Sequence, residues 1–168
     1  NTLLILQHRL KAKLDRSAVD IVKDYASLPM VECYAGQLNQ ALMNVLLNSI
    51  DALEERETHE QKQAEQASAT IDGSPKQITI RTNKLPDNWI EIKIADNGVG
   101  ISEMIQQRMF EPFFTTKPVG KGTGMGLSIS YQIIVEKHHG KFTCLSEQGQ
   151  GTEFVIQIPH NQQPVASD

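Results

Sequence analysis

Two glycine-rich segments carry the residues whose types and spacing suggest chemistry. Residues 96–100, DNGVG, directly follow an apolar alternating run, and residues 120–127, GKGTGMGL, directly precede an apolar helical pattern. Glycine permits positive φ angles and leaves no side chain between the backbone and a ligand, so both segments suit close approach to phosphates. A carboxylate that ends a strand beside one segment, and a helix that begins after the other, together predict a nucleotide pocket.

Asn44 and Asn48 lie four residues apart in an apolar helical pattern, so their side chains leave one face of the helix a turn apart. One interpretation is a pair of core amides with satisfied hydrogen bonds, since an unsatisfied buried amide costs about 1–3 kcal/mol. The other is that their carbonyl oxygens meet a hydrated magnesium ion and phosphate oxygens, because Mg²⁺ takes few protein oxygens and keeps several waters. Taken alone, the pair favours the first interpretation.

Asp96 also has two interpretations. Asp-Asn-Gly is an ordinary turn sequence. As a site residue, its carboxylate would accept a hydrogen bond from the exocyclic amine of adenine, whereas guanine presents a carbonyl at that position. A hydrogen bond to a charged group contributes about 1.5–3 kcal/mol, enough to prefer ATP over GTP. Gly98 and Gly100 would let the base approach the backbone.

Residues 110–117, FEPFFTTK, hold three of the five phenylalanines of the chain. They are either a hydrophobic anchor for a loop or the base of a flap whose glycine-rich end moves, and the two interpretations are compatible. Lys117 and Lys121 either meet β- or γ-phosphates or are simply solvated. Residues 124–127, GMGL, place free backbone N–H groups and a helix N-terminus where an anion could bind.

The elements that must hold these residues follow from the spacing of apolar side chains. From residue 37 the apolar positions recur with a period of 3.6, which predicts a helix with a buried face formed by Leu38, Leu42, Val45, Leu46, Ile50 and Leu53. We expect this helix to extend into the charged residues that follow, and the rest of residues 54–76 to form a flexible polar insertion.

Alternating or short apolar runs predict the strands, which we place at residues 3–14, 21–22, 31–34, 77–82, 89–95, 141–146 and 152–158. Residues 86–88 are expected to form the turn of a hairpin. Ser102 is expected to cap a short helix over residues 103–109, and another helix is expected over residues 127–135. The order of elements predicts a mixed sheet with helices on one face, a two-layer α/β sandwich.

Composition narrows the classes of function. The 168 residues predict one domain, and the net charge of −4 argues against a nucleic-acid partner. No run is long enough to span a membrane, and no signal segment is recognisable, so we expect a cytoplasmic location. Cys33 and Cys144 are expected to be reduced, and no Cys/His cluster has zinc spacing. Because the chain begins at Asn1, we expect it to be a piece of a larger protein.

As a set, these motifs resemble those of the ATP-binding catalytic domain of bacterial two-component sensor histidine kinases, in the superfamily that includes gyrase, mismatch-repair and heat-shock chaperone ATPases. The resemblance covers about residues 37–159. Residues 40–53 resemble the N box, residues 96–100 and 122–127 the two glycine boxes, residues 110–117 the phenylalanine box, and residues 149–152 the last glycine-threonine element.

The resemblance implies a Bergerat-type fold with about three helices and an ATP lid over residues 112–124. Chain length predicts a single domain over residues 1–159, and polar composition predicts a disordered tail over residues 160–168. The resemblance also implies that Asn48 binds magnesium, that Asp96 reads adenine with support from Thr152, and that Asn44, Lys117 and Lys121 act in catalysis. The implied nucleotide-binding residues are Asn44, Asn48, Asp96, Gly98, Gly100, Ile101, Phe110, Lys117, Gly122, Thr123, Gly124, Met125, Gly126, Leu127 and Thr152.

One departure from the family pattern concerns Asp51. Many members carry a basic residue one turn after the magnesium-binding asparagine, and here that residue is acidic. We therefore expect Lys117 and Lys121, and not this position of the helix, to contact the phosphates.

The implied function is transfer of the γ-phosphoryl group of Mg-ATP to a histidine on a separate dimerisation domain, with a response regulator downstream. The five histidines of this chain do not lie in a suitable acceptor sequence. We expect the isolated domain to be monomeric and without direct membrane contact, and the parent protein to be a homodimer.

Two other functions remain open at this point. A self-contained ATPase of the same superfamily would need a glutamate to activate water, and Asn44 occupies the position expected for it. A non-catalytic interaction module would use ATP only to order the lid for a partner. An assay with labelled ATP and the parent's phosphoacceptor domain distinguishes the three functions. Transfer of label indicates a kinase, hydrolysis an ATPase, and binding without reaction an interaction module.

Overall fold

The computed structural model describes residues 2–11, 17–67, 73–117 and 124–162, and its centre is a five-stranded mixed sheet. The strands are β1 (Asp20–Tyr25), β2 (Gln77–Leu85), β3 (Trp89–Asp96), β4 (Lys141–Glu147) and β5 (Gly151–Pro159). Their order across the sheet is β1-β2-β3-β5-β4, with β1 and β2 parallel and the other neighbours antiparallel.

Helices cover one face of this sheet, which confirms the predicted two-layer sandwich. They are α1 (Thr2–Leu10), α2 (Ala35–Ala67), the short α3 (Glu103–Gln106) and α4 (Gly126–Tyr131), which continues as a π-helix over Gln132–Lys137. The core between the layers joins the apolar face of α2, including Val45, Ile50 and Leu53, to side chains of the central strands such as Ile94 and Phe154.

The predicted hairpin is confirmed. Antiparallel β2 and β3 are joined by a tight turn over Pro86–Asn88, in which Asp87 and Asn88 both have φ near +60°. Aspartate and asparagine tolerate this left-handed backbone better than most residues, so the sequence suits the turn. The strands predicted at residues 21–22, 141–146 and 152–158 are also present, within longer elements.

The strand predicted over residues 3–14 is wrong in its described part, because Thr2–Leu10 is helical, and residues 12–14 lie outside the described residues. Leu3, Leu6 and Leu10 follow a helical spacing, and all three pack on the core, whereas Leu4 and Ile5 are exposed. The loose alternation that suggested a strand was this helical pattern, which is short and has apolar residues on both faces.

No strand forms at residues 31–34 either. This segment is held by isolated bonds: the Glu32 N–H donates to the His160 carbonyl oxygen (3.0 Å), and the Tyr34 N–H donates to His138 Nε2 (3.0 Å). The same contact shows that His160, the first residue of the predicted tail, is held against the domain; residues 163–168 lie outside the described residues.

Two helix predictions need correction in their extent. The helix predicted from residue 37 begins at Ala35 and continues through the charged run to Ala67, while residues 68–72 of the predicted insertion lie outside the described residues. The helix predicted over residues 103–109 ends at Gln106, and Ser102 makes no side-chain capping bond.

Candidate nucleotide-binding site

A cavity of about 630 Å³ opens beside α2 at the carboxyl end of β3. That volume lies within the range of small-molecule sites. Its wall brings together residues from both halves of the sequence: Arg9, Asn44, Leu47, Asn48, Asp51, Ala52, Glu55, Asp96, Ile101, Ile105, Met109, Phe114, Thr115, Thr116, Lys117, Gly124, Gly126, Leu127, Thr152 and Phe154.

Asp96 forms one end of the cavity. It ends β3 directly opposite Thr152 of β5, and both side chains are buried. Burial raises the pKa of Asp96 to about 6, although the Gly98 N–H, which donates to Asp96 Oδ1 at 2.9 Å, opposes the shift. The carboxylate is thus a desolvated hydrogen-bond acceptor, and such a group interacts more strongly with a ligand than one in water.

Gly98 and Gly100 hold the backbone in place beside this end. A Cβ atom at Gly98 would lie 2.7 Å from the Cβ atom of Ala52 on α2. Gly100 has φ of +70°, and a Cβ atom there would lie 2.1 Å from the carbonyl oxygen of Glu147. Both glycines are therefore required by close approach within the protein, and neither lines the cavity.

A hydrogen-bond network fixes the neighbouring wall. Ser146 Oγ accepts from the Ile101 N–H (2.8 Å) and lies 2.8 Å from Thr152 Oγ1. Gln106 Nε2 donates to the carbonyl oxygens of Ile101 (2.7 Å) and Ser146 (3.0 Å). Ser146 and Gln106 were not among the predicted site residues; no motif marks them, since their role depends on the pairing of β4 with β5.

Asn44 and Asn48 form the opposite end. Asn44 Nδ2 donates to the Gly126 carbonyl oxygen (3.0 Å) and to Ser130 Oγ (3.3 Å), and Asn48 Nδ2 donates to the Asn44 carbonyl oxygen (2.8 Å). The protein therefore uses the nitrogen of each amide, and within the described ranges no hydrogen bond to either amide oxygen is found, so each is available as an acceptor at the cavity wall. Oxygen donors of this kind fit Mg²⁺ and the waters that it keeps.

Ion pairs next to the asparagines join three elements. Asp51 of α2 forms an ion pair with Lys117 Nζ and accepts a hydrogen bond from Arg9 Nη2 at 2.7 Å. Glu54 accepts from the same Arg9 nitrogen at 2.9 Å. Burial alone would lower the pKa of Arg9, but these carboxylates outweigh it and raise that pKa above its ordinary value. Arg9 was missed because its segment was predicted to be a strand far from the motifs.

The structure brings nine of the predicted site residues to the cavity wall: Asn44, Asn48, Asp96, Ile101, Lys117, Gly124, Gly126, Leu127 and Thr152. Gly98, Gly100, Phe110 and Met125 lie outside the wall. Phe110 packs instead against the rings of Tyr131 and Phe142, with centroids 5.4 and 5.0 Å apart. Lys121, Gly122 and Thr123 lie outside the described residues.

Gly124, the last residue of the predicted lid, lies in the cavity wall next to Phe113 at the start of the lid. Its φ is +67°, and a Cβ atom would lie 2.5 Å from the carbonyl oxygen of Phe113. Phe113 itself has φ of +63° and a largely exposed ring. The two ends of the predicted lid, residues 112–124, therefore touch through their backbones.

Three further observations concern metals, membranes and thiols. No group of three or more His, Cys, Asp or Glu side chains among the described residues has the arrangement of a metal site, so a metal here would rely on other oxygen donors. In the part of the chain that the structure describes, no helix has the length and apolar character needed to cross a membrane. Cys33 and Cys144 are free thiols, and burial raises the pKa of Cys144 to about 12.

The fold and the cavity define a nucleotide-binding domain of the Bergerat class. Comparison with known families agrees: residues 34–162 match the family described as histidine kinase-, DNA gyrase B- and HSP90-like ATPases, and the chain belongs to that family. Membership of an ATPase family implies that the nucleotide is ATP.

The curated relatives of the chain include sensor kinases. It is 35% identical over 130 residues to the two-component sensor PprA of Pseudomonas aeruginosa, a match that covers 77% of this chain and 12% of that protein. It is 34% identical over 144 residues to sporulation kinase E of Bacillus subtilis, covering 86% of this chain and 16% of that protein. The chain thus spans less than a fifth of the length of these relatives. The predicted resemblance to a sensor histidine kinase catalytic domain is confirmed.

Solved structures show the same fold. The catalytic domain of histidine kinase ThkA, in a nucleotide-free form, matches with a TM-score of 0.71 at 24% identity, covering 96% of this chain and 89% of that one. Full-length ShkA, solved in complex with AMPPNP, matches with a TM-score of 0.72 at 21% identity, covering 98% of this chain and 29% of that one.

Proposed function

We propose that this domain binds Mg-ATP and transfers the γ-phosphoryl group to a histidine side chain on a separate phosphoacceptor and dimerisation domain. The observation that carries the proposal is that one cavity holds a buried carboxylate at one end and two asparagine amide oxygens, with Lys117, at the other. The end with the buried carboxylate suits the adenine base, and the end with the asparagines and Lys117 suits a metal-bound polyphosphate.

Each end has a defined task. Asp96 accepts a hydrogen bond from the exocyclic amine of adenine, and Thr152, which is hydrogen-bonded to Ser146, supports that contact. Asn48 and Asn44 would hold Mg²⁺ and its waters, which neutralise charge on the phosphates during transfer. Lys117, on the lid side of the cavity, and the backbone N–H groups near Gly126 bind phosphate oxygens. The domain thus contributes position and charge, the main requirements of phosphoryl transfer.

Hydrolysis is the main competing function, and the amide of Asn44 argues against it. An ATPase needs a general base to activate water, and Asn44 has no proton to accept or release at neutral pH. Its Nδ2 is also engaged with Gly126 and Ser130. In this cavity Asn44 can therefore orient the metal ion, its waters and the phosphates, but it cannot remove a proton from water.

Partners and location follow from the same proposal. The phosphoacceptor domain belongs to a larger parent protein, which we propose to be a homodimer in the cytoplasm with a response regulator as its downstream partner. The names of the relatives support this arrangement, since they are sensors and sensor kinases.

The test mixes this domain with the parent's phosphoacceptor domain and γ-labelled ATP. We expect label on the acceptor histidine, abolished by Asn48→Ala because the metal loses its protein ligand. Asn161→Ala, which truncates an exposed asparagine away from the cavity, is the matched control and should transfer normally. Release of labelled phosphate without transfer would indicate an ATPase, and binding without either reaction would indicate an interaction module.

A further inference from the structure

Arg9 reaches the phosphate end of the cavity from an element outside every nucleotide-binding motif. It lies on α1, whose Leu3, Leu6 and Leu10 pack on the core and so fix the position of the helix. Its guanidinium is half-buried at the cavity wall and joins two carboxylates of α2. The packing of α1 fixes the backbone of Arg9, and the two carboxylates fix its guanidinium. The side chain is therefore preorganised to bind an anionic ligand.

The charges around it show why a cation is needed there. At this end of the cavity α2 contributes Asp51, Glu54 and Glu55, and among the described residues the cations are Arg9 and Lys117. A carboxylate at position 51 cannot bind phosphate, because two anions repel. What Asp51 does instead is hold both cations, one from α1 and one from the lid side of the cavity.

The hydrogen bonds of Arg9 leave donors for a ligand. Both carboxylates are reached through Nη2, and neither Nε nor Nη1 has a partner in the part of the chain that the structure describes. A guanidinium has five N–H donors in a planar fork, so it can hold a carboxylate on one side and a phosphate oxygen on another.

We propose that Arg9 is a phosphate-binding residue of the nucleotide site, supplied by α1 and positioned by Asp51 and Glu54. It replaces the cation that α2 lacks at position 51. The inference rests on the proposed function, because it assumes that the cavity binds a nucleotide polyphosphate. It also places a contact to the nucleotide on a helix that precedes the first motif by about 30 residues.

The experiment compares ATP with adenosine, which shares the base and ribose but has no phosphate. Affinities of the wild-type domain and of Arg9→Gln are measured with Mg²⁺ present, by competition against a fluorescent ATP analogue. Arg9→Gln should weaken ATP binding by about tenfold or more, the loss expected for a hydrogen bond to a charged group, and leave adenosine binding within about twofold.

Two further variants complete the design. Arg9→Lys keeps the charge but not the fork, so it should lose less ATP affinity than Arg9→Gln and leave adenosine binding unchanged. If Arg9→Gln does not fold, Arg9→Lys allows the same comparison of ATP affinity with adenosine affinity. Lys11→Gln removes an exposed cation two residues away, outside the cavity wall, and should bind both ligands normally.

Each alternative outcome has a distinct meaning. Equal losses for ATP and adenosine would overturn the inference, because they would show that Arg9 only supports the fold of the site. Unchanged ATP binding in Arg9→Gln would overturn it as well, while leaving the proposed function intact. A wild-type domain that binds adenosine no more weakly than ATP would overturn the proposed polyphosphate site and this inference together.

Discussion

At the scale of a single residue, Asp96 has a structural cost that its proposed role in binding the base would explain. Its carboxylate is buried at the end of β3, where burial disfavours the charged form and raises its pKa to about 6. A group that destabilises the protein in its charged form is retained most readily where a ligand uses that charge. At neutral pH the carboxylate is mostly ionised, and in the proposed function the exocyclic amine of adenine donates a hydrogen bond to it in addition to the Gly98 N–H.

The raised pKa of Asp96 predicts a pH-dependent stability. The folded protein binds this proton more tightly than the unfolded chain, so the stabilisation is complete below the ordinary pKa of 3.8 and is lost as the pH rises through about 6. The upper bound is about 3 kcal/mol, from the linkage between pKa shift and stability. The isosteric variant Asp96→Asn lacks the titrating group, so its free energy of unfolding should not show this fall.

Urea denaturation between about pH 4 and pH 8, without nucleotide, measures both free energies of unfolding. The difference between wild type and Asp96→Asn should change with pH across the window from about 4 to 7. Asp24→Asn, which alters an exposed carboxylate on β1, serves as the control and should run parallel to wild type. Parallel curves for Asp96→Asn would show that Asp96 titrates alike in both states.

At the scale of elements, the described residues at the start of the predicted lid contact the cavity only weakly. Thr115, Thr116 and Lys117 line the wall, and Lys117 pairs with Asp51, but the side chains of this pair are about one-third exposed. Partly exposed ion pairs contribute about 0–1 kcal/mol, less than the entropy of ordering even one residue. Apolar burial adds little, since Phe113 is largely exposed.

We therefore predict that residues 112–124 exchange amide hydrogens quickly without nucleotide and more slowly with a Mg-ATP analogue, because phosphate contacts would add order. Hydrogen exchange followed by mass spectrometry measures both states. Residues 90–95 of the central strand β3 are the internal control and should be protected in each. Lys117→Gln should reduce the slowing in the lid. Equal exchange with and without the analogue would mean that nucleotide does not order this segment.

At the scale of the whole molecule, the sequence predicts the parts whose signal is local. The period of Val45, Ile50 and Leu53 predicts α2, and the turn residues Asp87 and Asn88 predict the hairpin, because in each case neighbouring residues suffice. The family resemblance implies that Asp96 and Thr152 act together, and the register of β3 with β5 places Thr152 opposite Asp96.

What the sequence did not predict depends on contacts between distant segments. Arg9 reaches Asp51 and Glu54 across 42 and 45 residues, and the α1 pattern was too short to distinguish a helix from a strand. Ser146 accepts from Ile101 across 45 residues, and Gln106 donates to Ser146 across 40, through polar bonds that leave no periodic pattern. Phe110 stays a predicted nucleotide-binding residue, and its ring packs against Tyr131 and Phe142, a cluster that no local pattern indicates.

The last prediction concerns the stability of the whole domain with nucleotide. A ligand that binds only the folded state stabilises it by RT ln(1 + [L]/Kd), about 2.7 kcal/mol at a hundredfold excess over Kd. For a domain of this size that corresponds to a rise in Tm on the order of 5–10 °C.

Mg-ATP should produce this rise and GTP at the same concentration a much smaller one, since guanine offers Asp96 an acceptor. Asp96→Asn should lose most of the ATP effect, while Asp24→Asn keeps it. Thermal denaturation with each nucleotide makes the comparison, and equal shifts with ATP and GTP would show that Asp96 does not select the base.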